Sequence, residues 1–128
     1  MIFCGQTTAQ VSHYFTHPVG NGGGGRDIAQ FVASDPSGSF LVAGSFEGTI
    51  DVDATAGQTT LTSMGGTDIY FAKYDGNGTL VWARSIGSGL DDEINGMEAD
   101  AHGNLFIAGS FHETMDCDGS AGVSNLIS

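Results

Sequence analysis

Apolar residues along this chain cluster in short runs that are apolar on both faces. The runs Ile28–Ser34 and Phe40–Phe46 are nearly continuous, and Ile69–Tyr74 and Thr79–Ser85 have the same character. Runs of this length, bounded by glycine and aspartate, are typical of strands that are covered on both sides. No segment of useful length shows the 3.6-residue period of a helix. The pattern therefore predicts an all-β protein.

Short turn sequences join these runs in pairs. Asp35-Pro-Ser-Gly38 places aspartate, proline and glycine at the first, second and fourth positions, which favours a type I turn. Asp75-Gly-Asn-Gly78 and Asp100-Ala-His-Gly103 have the same form. We therefore expect antiparallel hairpins at all three places, and four strands in two hairpins for each full unit.

The stretch from Asp35 to Phe46 occurs twice, and its second copy runs from Asp100 to Phe111. Subtracting 35 from 100 gives an offset of 65 residues, at which residues 27–63 align with residues 92–128 without a gap. Fourteen of these thirty-seven pairs are identical. A fixed period longer than one hairpin indicates a repeat protein, in which each unit buries its faces against a neighbour.

Stacking of this kind predicts which apolar side chains form the core. In an intact, longer parent protein whose neighbouring units cover both faces, we expect most burial at Phe40, Val42, Phe46, Phe71, Leu80, Trp82, Leu105, Ile107 and Phe111.

Composition narrows the class of partner. The chain has 128 residues, 21 of them glycine and 2 proline, which fits one small domain with many tight turns. Its 3 basic and 15 acidic residues give a formal charge of −12, which repels nucleic acid and acidic lipid surfaces. No apolar run has the length of a spanning helix, so we expect no membrane insertion. The N-terminus shows no intact signal peptide.

The turns and strands together resemble a known family. The segments Val42-Ala-Gly-Ser-Phe46 and Ala72-Lys-Tyr-Asp75, followed by Gly78-Thr-Leu-Val-Trp-Ala83, are similar to the seven-bladed β-propeller repeat of bacterial cell-surface and secreted proteins. The resemblance covers roughly residues 20–128. It implies antiparallel four-stranded blades that serve as a scaffold for surface binding, with no family-wide catalytic residues.

On this basis we expect a lead-in segment at residues 1–19, one complete blade at 20–84 and a partial second blade at 85–128. We expect this fragment of a larger propeller to aggregate or assemble when it is expressed alone. The expected partners are adjacent blades of a longer parent and a protein or carbohydrate ligand, at an extracellular or cell-surface location. The expected role is that of a non-catalytic scaffold. The alternatives are a carbohydrate-active enzyme that uses acidic loop residues and a calcium-stabilised structural module.

Two pairs of acidic residues are the candidate metal ligands. Asp51 and Asp53 lie two residues apart, hence on one face of an extended chain, and Asp116 and Asp118 repeat the arrangement. Calcium suits closely spaced carboxylates, because it takes several oxygen ligands. The alternative is that these side chains face solvent and discourage edge-to-edge pairing. No other cofactor is expected.

The remaining polar candidates have weaker patterns. His13 and His17 have metal-like spacing, and Cys4 could join them as a zinc ligand, but no second cysteine lies nearby and no helix is predicted there, so an exposed segment is the favoured interpretation. Cys117 replaces Val52 at the repeat offset, so we expect a small buried hydrophobe. Residues 91–93, Asp-Asp-Glu, are interpreted as a solvated connector.

Overall fold

The computed structural model describes residues 25–53, 55, 57–117 and 125–127, together with the backbone of Ile2–Phe3 and Ser12–His13. These residues form antiparallel strands and no helix. None of them belongs to a helix long and apolar enough to cross a membrane. The strands are β1 Ile2–Phe3, β2 Ser12–His13, β3 Ile28–Ser34, β4 Phe40–Asp51, β5 Thr60–Tyr74, β6 Leu80–Ile86, β7 Glu93–Ala99, β8 Leu105–Ser110, β9 Thr114–Asp116 and β10 Asn125–Ile127.

The first unit is one four-stranded antiparallel sheet with the strand order β3-β4-β5-β6. Its first and last hairpins turn where the sequence predicted. Gly38 N–H donates to Asp35 C=O at 3.1 Å, and Gly78 N–H donates to Asp75 C=O at 3.0 Å. Gly38 and Gly78 have φ angles of 86° and 84°, a conformation that glycine adopts without steric cost. The prediction of an all-β fold with a four-stranded antiparallel sheet in the complete unit is confirmed.

The middle hairpin is longer than the apolar runs indicated. β4 continues past Phe46 to Asp51, and β5 begins at Thr60. The register shifts between Glu47 and Thr49, after which Ile50 pairs with Leu61. Polar residues alternate with apolar ones in this outer part of the hairpin, so it lacks the continuous apolar pattern of the inner part.

The second unit repeats the pairing of the first at the 65-residue offset. β7 and β8 form an antiparallel pair with a register shift between Ile94 and Gly96, where β3 has one between Ala29 and Phe31. β9 and β10 pair Met115 with Leu126, which repeats the pairing of Ile50 with Leu61. The sequence repeat is therefore a repeat of backbone structure, including its irregularity.

The first sheet buries apolar side chains on both faces. One face carries a buried cluster of Val42, Phe46, Ile50, Val52, Tyr70, Ala72 and Tyr74. On the other face, Ala43 and Ile69 pack with Ile94 of the second unit. The two units therefore stack face to face, as the two-sided apolar strands predicted.

Burial among the nine expected core residues is uneven. Val42 and Phe46 are fully buried, whereas the other seven are partly buried. Five of those seven line an open cleft between the units: Phe71, Trp82, Leu105, Ile107 and Phe111. Several buried residues were not among the predicted core residues, namely Leu41, Ile50, Val52, Ile69, Tyr70 and Tyr74.

Replacing Glu113 with glycine should stabilise the protein. Glu113 has a φ angle of 61°, and its repeat counterpart Gly48 has a φ angle of 70°. A left-handed conformation costs a non-glycine residue about 1–2 kcal/mol, and the added chain entropy of glycine offsets part of the gain. We expect Glu113→Gly to raise the free energy of unfolding by about 0.5–1 kcal/mol, measured by thermal melting. Gly48→Glu is the matched control and should have the opposite sign. A loss of stability in Glu113→Gly would mean that contacts of the glutamate side chain outweigh the strain.

Candidate functional site

The candidate calcium ligands Asp51 and Asp53 lie at the turn between β4 and β5. Asp51 Oδ1 accepts hydrogen bonds from the backbone N–H groups of Asp53 and Thr59, both at 3.0 Å. Asp53 Oδ1 accepts from the backbone N–H and the hydroxyl group of Thr55, at 2.9 and 2.6 Å. These bonds from Thr55 hold the pKa of Asp53 below its ordinary value. Both carboxylates therefore stabilise the turn.

The second acidic pair is described only in part. Asp116 ends β9 and pairs with Asn125, as Asp51 pairs with Thr60 in the first unit. Asp118 lies outside the described residues. Within the described ranges, no three His, Cys, Asp or Glu side chains come close enough to share a metal ion.

We expect Asp51 and Asp53 to bind calcium with at most millimolar affinity, because two carboxylates that already accept backbone hydrogen bonds supply few further oxygen ligands. Isothermal titration of the chain with calcium chloride checks this, and the heat should not saturate at micromolar concentrations. Magnesium chloride at the same ionic strength is the control. Tight, stoichiometric binding that Asp53→Ala abolishes would contradict the prediction.

The aspartates that open the three predicted turns have a common structural role. Each accepts a hydrogen bond from the backbone N–H two residues later: Ser37 to Asp35 and His102 to Asp100 at 2.8 Å, and Asn77 to Asp75 at 2.9 Å. The Lys73 ammonium group also donates to Asp35, at 2.8 Å. This bond, with one from Ser37, lowers the pKa of Asp35 to about 2. Hydrogen bonds likewise lower the pKa values of Asp75 and Asp100.

The histidine and cysteine candidates are only partly described. Cys4 and His17 lie outside the described residues, and only the backbone of His13 is described. Cys117 is partly buried, less than the small buried hydrophobe that the sequence predicted. Cys117 lines the open cleft, whereas its counterpart Val52 lies in the closed core of the first unit.

The interpretation of residues 91–93 as a solvated connector is wrong for Asp92, whose side chain is fully buried. Its carboxylate accepts hydrogen bonds from Ser88 N–H at 2.6 Å and from His112 N–H at 3.1 Å. The Asp92 N–H donates to Thr67 C=O at 2.6 Å. Asp92 therefore joins β5 of the first unit to the strands of the second. The alignment of Asp92 with Asp27 at the 65-residue offset was the only sequence signal that set this aspartate apart.

A second buried carboxylate lies at the same junction. Asp68 is 1% exposed, and its Oδ2 accepts a hydrogen bond from Met64 N–H at 2.8 Å. No described group donates to its Oδ1. Burial raises the pKa of Asp68 to about 6, and the negative charge of Asp92 adds to the effect. Sequence reasoning did not single out Asp68, because one aspartate inside an apolar strand has no motif.

An apolar cleft with a volume of about 480 Å³ lies between the two units. The first unit supplies Ile69 and Phe71 from β5 and Trp82, Arg84 and Ile86 from β6. The second unit supplies Leu105, Ile107, Gly109 and Ser110 from β8, with Phe111, Met115, Cys117 and Leu126. The cleft is large enough for several side chains or a small ligand.

The fold and the stacking of its units define an all-β repeat protein whose four-stranded antiparallel sheet is compatible with a β-propeller blade. The chain is similar to an uncharacterized WD repeat-containing protein of Acanthamoeba polyphaga mimivirus. The two are 27% identical over 86 residues, which cover 62% of this chain and 6% of that protein. No protein-family model matches the chain, and no solved structure does. The similarity supports a propeller-type repeat and gives no support to the bacterial cell-surface family in particular.

Proposed function

We propose that the chain belongs to a non-catalytic β-propeller scaffold of the bacterial cell-surface and secreted type, which acts outside the cell by binding a protein or a carbohydrate. The observation that carries this proposal is that the acidic side chains bond to the backbone. Asp51, Asp53 and Asp92 each accept hydrogen bonds from the backbone, so they maintain turns and strand junctions. Carboxylates that accept backbone hydrogen bonds have a structural role, as expected in a scaffold protein.

Charge and surface support the same proposal. The formal charge of −12 favours basic proteins and neutral glycans over phosphate-bearing partners. Stacked units leave their loops exposed at the sheet ends, where binding residues are commonly found. The proposed parent protein would then vary its loops on a constant framework of blades.

Binding and turnover on the same glycan panel test the proposal. We expect saturable binding to a glycan or to a basic protein surface, measured by biolayer interferometry, and no change in glycan mass by mass spectrometry. Asp51→Asn should keep this binding if it keeps its melting temperature. Asp75→Asn, at an exposed turn, is the matched control.

The carbohydrate-active alternative predicts a different result from the same panel. Hydrolysis products that disappear in Asp51→Asn but persist in Asp75→Asn, at unchanged melting temperature, would overturn the non-catalytic proposal. Labelling of intact cells of the source organism with an antibody against the chain tests the proposed location, and labelling of permeabilised cells alone would contradict it.

A further inference from the structure

Residues 87–92 carry the chain from β6 of the first unit to β7 of the second, and we call them the junction segment. The side chain of its last residue, Asp92, is fully buried. The Asp92 carboxylate accepts hydrogen bonds from Ser88 N–H at 2.6 Å, from the Ser88 hydroxyl group at 3.1 Å and from His112 N–H at 3.1 Å. The junction segment is therefore folded around a buried negative charge.

Hydrogen bonds to Thr67 hold the junction segment against β5. Asp92 N–H donates to Thr67 C=O at 2.6 Å, and Thr67 N–H donates to Asp91 Oδ1 at 2.9 Å. Two residues after Asp92, the buried side chain of Ile94 in β7 packs with Ile69 of β5. Release of the junction segment from β5 would therefore loosen the contact between the two units.

The next residue of β5, Asp68, lies against the start of the junction segment. Ile69 pairs with Ile86, which places Asp68 beside Gly87, and a Cβ atom on Gly87 would collide with the Asp68 carboxyl group. Asp68 is 1% exposed. Met64 N–H donates to its Oδ2, whereas no described group donates to its Oδ1. The carboxyl group is thus enclosed between β5 and the junction segment with one oxygen atom unpaired.

This enclosure favours a neutral Asp68 over an ionised one. A buried carboxylate that lacks hydrogen bonds loses the hydration that it has in water. The nearby charge of Asp92 adds like-charge repulsion, whereas a neutral carboxyl group avoids both costs. Neither aspartate forms an ion pair with a described basic side chain. Movement of the junction segment away from β5 would give an ionised Asp68 access to water.

We propose that the junction segment is a proton-controlled contact between the units, which is bound to β5 when Asp68 is protonated and released when Asp68 is ionised. The two states are the stacked arrangement and an open arrangement in which residues 87–92 leave β5 and Asp68 is hydrated. The inference does not rest on the proposed extracellular function, because it uses only the contacts at the junction.

The direction of the effect follows from linkage. Burial raises the pKa of Asp68 to about 6 in the stacked state, and hydration in the open state returns it to about 3.9. The stacked state therefore binds the proton more tightly, so it is favoured at pH 5 and weakened as the pH rises through about 6. With these two pKa values, opening of the junction is about tenfold more favourable at pH 8 than at pH 5.

Other titratable side chains face the junction, and the experiment has to separate them from Asp68. Asp91 accepts from Thr67 N–H, Glu47 accepts from the Thr67 hydroxyl group at 3.4 Å, and His112 Nδ1 lies 2.7 Å from the Asp91 carbonyl oxygen. The remaining two are Asp27, beside Glu47, and Glu113, beside Gly89. Of all these groups, the histidine belongs to the residue type that ordinarily titrates between pH 5 and pH 8.

Amide hydrogen exchange of the full chain, resolved by NMR, measures the opening directly. The amides of Ser88 and Asp92 donate the hydrogen bonds that break on release, so their protection factors should fall about tenfold from pH 5 to pH 8. The amide of Gly38 is the control, because it donates to Asp35 C=O in an exposed turn away from the junction, and its protection factor should stay within about twofold.

A core amide distinguishes local opening from unfolding of the whole protein. Val42 lies in β4 and pairs with Val32 on one side and Ala72 on the other. At both pH values, the amides of Ser88 and Asp92 should exchange at least about tenfold faster than that of Val42. Equal protection of all three amides would mean that the junction opens only when the chain unfolds, and would overturn the proposal.

Three variants assign the effect to one side chain. Asp68→Asn is neutral at every pH, so its junction amides should keep their pH 5 protection at pH 8. Asp75→Asn, at an exposed turn, and His112→Gln should retain the tenfold fall of the wild type. Loss of the pH dependence in His112→Gln, or its persistence in Asp68→Asn, would overturn the proposal.

Two further measurements keep the test decisive. If Asp68→Asn fails to fold, the chemical shift of the Asp68 carboxyl carbon in the wild type replaces it, and its titration midpoint should coincide with the midpoint of the protection loss. A midpoint that differs by more than about one pH unit would contradict the proposal. Millimolar calcium chloride should leave the exchange at pH 8 unchanged. Restored protection would show that the unpaired oxygen atom of Asp68 binds a cation, and would overturn proton control.

Discussion

Replacing Phe46 with alanine should lower the free energy of unfolding by about 3–5 kcal/mol. Phe46 is fully buried in the core cluster of the first unit and contacts the ring of Tyr70. Truncation of a buried phenylalanine loses the transfer free energy of the ring and leaves a cavity that close-packed neighbours fill only in part. Chemical denaturation monitored by circular dichroism measures the change.

Alanine variants of two other phenylalanines serve as comparisons for the stability loss of Phe46→Ala. Phe111 is the repeat counterpart of Phe46 but lines the cleft, so Phe111→Ala should cost clearly less. Phe106 is 60% exposed, so Phe106→Ala should change the free energy of unfolding by less than about 0.5 kcal/mol. Equal losses for Phe46→Ala and Phe111→Ala would contradict the difference between the closed core and the open cleft.

The buried carboxyl group of Asp68 should make the protein more stable in mild acid than at neutral pH. Burial raises its pKa to about 6 in the folded protein, against about 3.9 in an unfolded chain. The folded state therefore binds the proton more tightly, and its stability rises as the pH falls from about 7 to about 4. The difference in pKa corresponds to about 3 kcal/mol for this one group.

Asp68→Asn isolates the effect, because asparagine removes the titration but keeps an oxygen that can accept from Met64 N–H. We expect the difference in unfolding free energy between the wild type and this variant to shift by about 2–3 kcal/mol in favour of the wild type between pH 8 and pH 4. Asp75 is a control of opposite sign. Hydrogen bonds lower its pKa, so its contribution to stability is lost as the pH falls. Parallel pH profiles for the wild type and Asp68→Asn would refute the prediction.

Local sequence patterns were sufficient for most of the inner sheet. Ile28–Ser34 matches β3 at both ends, and the turns at Asp35 and Asp75 form where aspartate and glycine required them. These features depend on backbone conformation and on neighbours within a few residues. Because the two units align at an offset of 65 residues, the strand pairing of the first unit also indicates that of the second, including the register shift in β7.

The junction and the cleft were not predictable in the same way. Asp92 is buried at the contact between the units, where His112, 20 residues away in sequence, donates a hydrogen bond to it. Asp68 accepts a hydrogen bond from Met64, only four residues away, but no pattern in its strand marks it as buried. Periodicity reports which faces are apolar, but it does not report which faces another unit covers. Trp82 is an example. Its apolar strand predicted deep burial, but its side chain lines an open cleft.

Among the described strands, the repeated strand is paired on both sides in the first unit, as β4, and on one side in the second, as β8. Amide hydrogen exchange tests this directly, because the segments Phe40–Phe46 and Leu105–Phe111 are identical at four of seven positions and apolar at the other three, so their intrinsic exchange rates are similar. The first belongs to β4, between β3 and β5, while the second includes β8 at the open edge.

Mass spectrometry of these two segments after timed exchange at low concentration gives the comparison. We expect Phe40–Phe46 to exchange on the order of 100-fold more slowly than Leu105–Phe111, since local opening is easiest where backbone hydrogen bonds are few and exposed. Equal protection of the two segments would contradict it, because the edge of β8 would then be covered and the cleft closed.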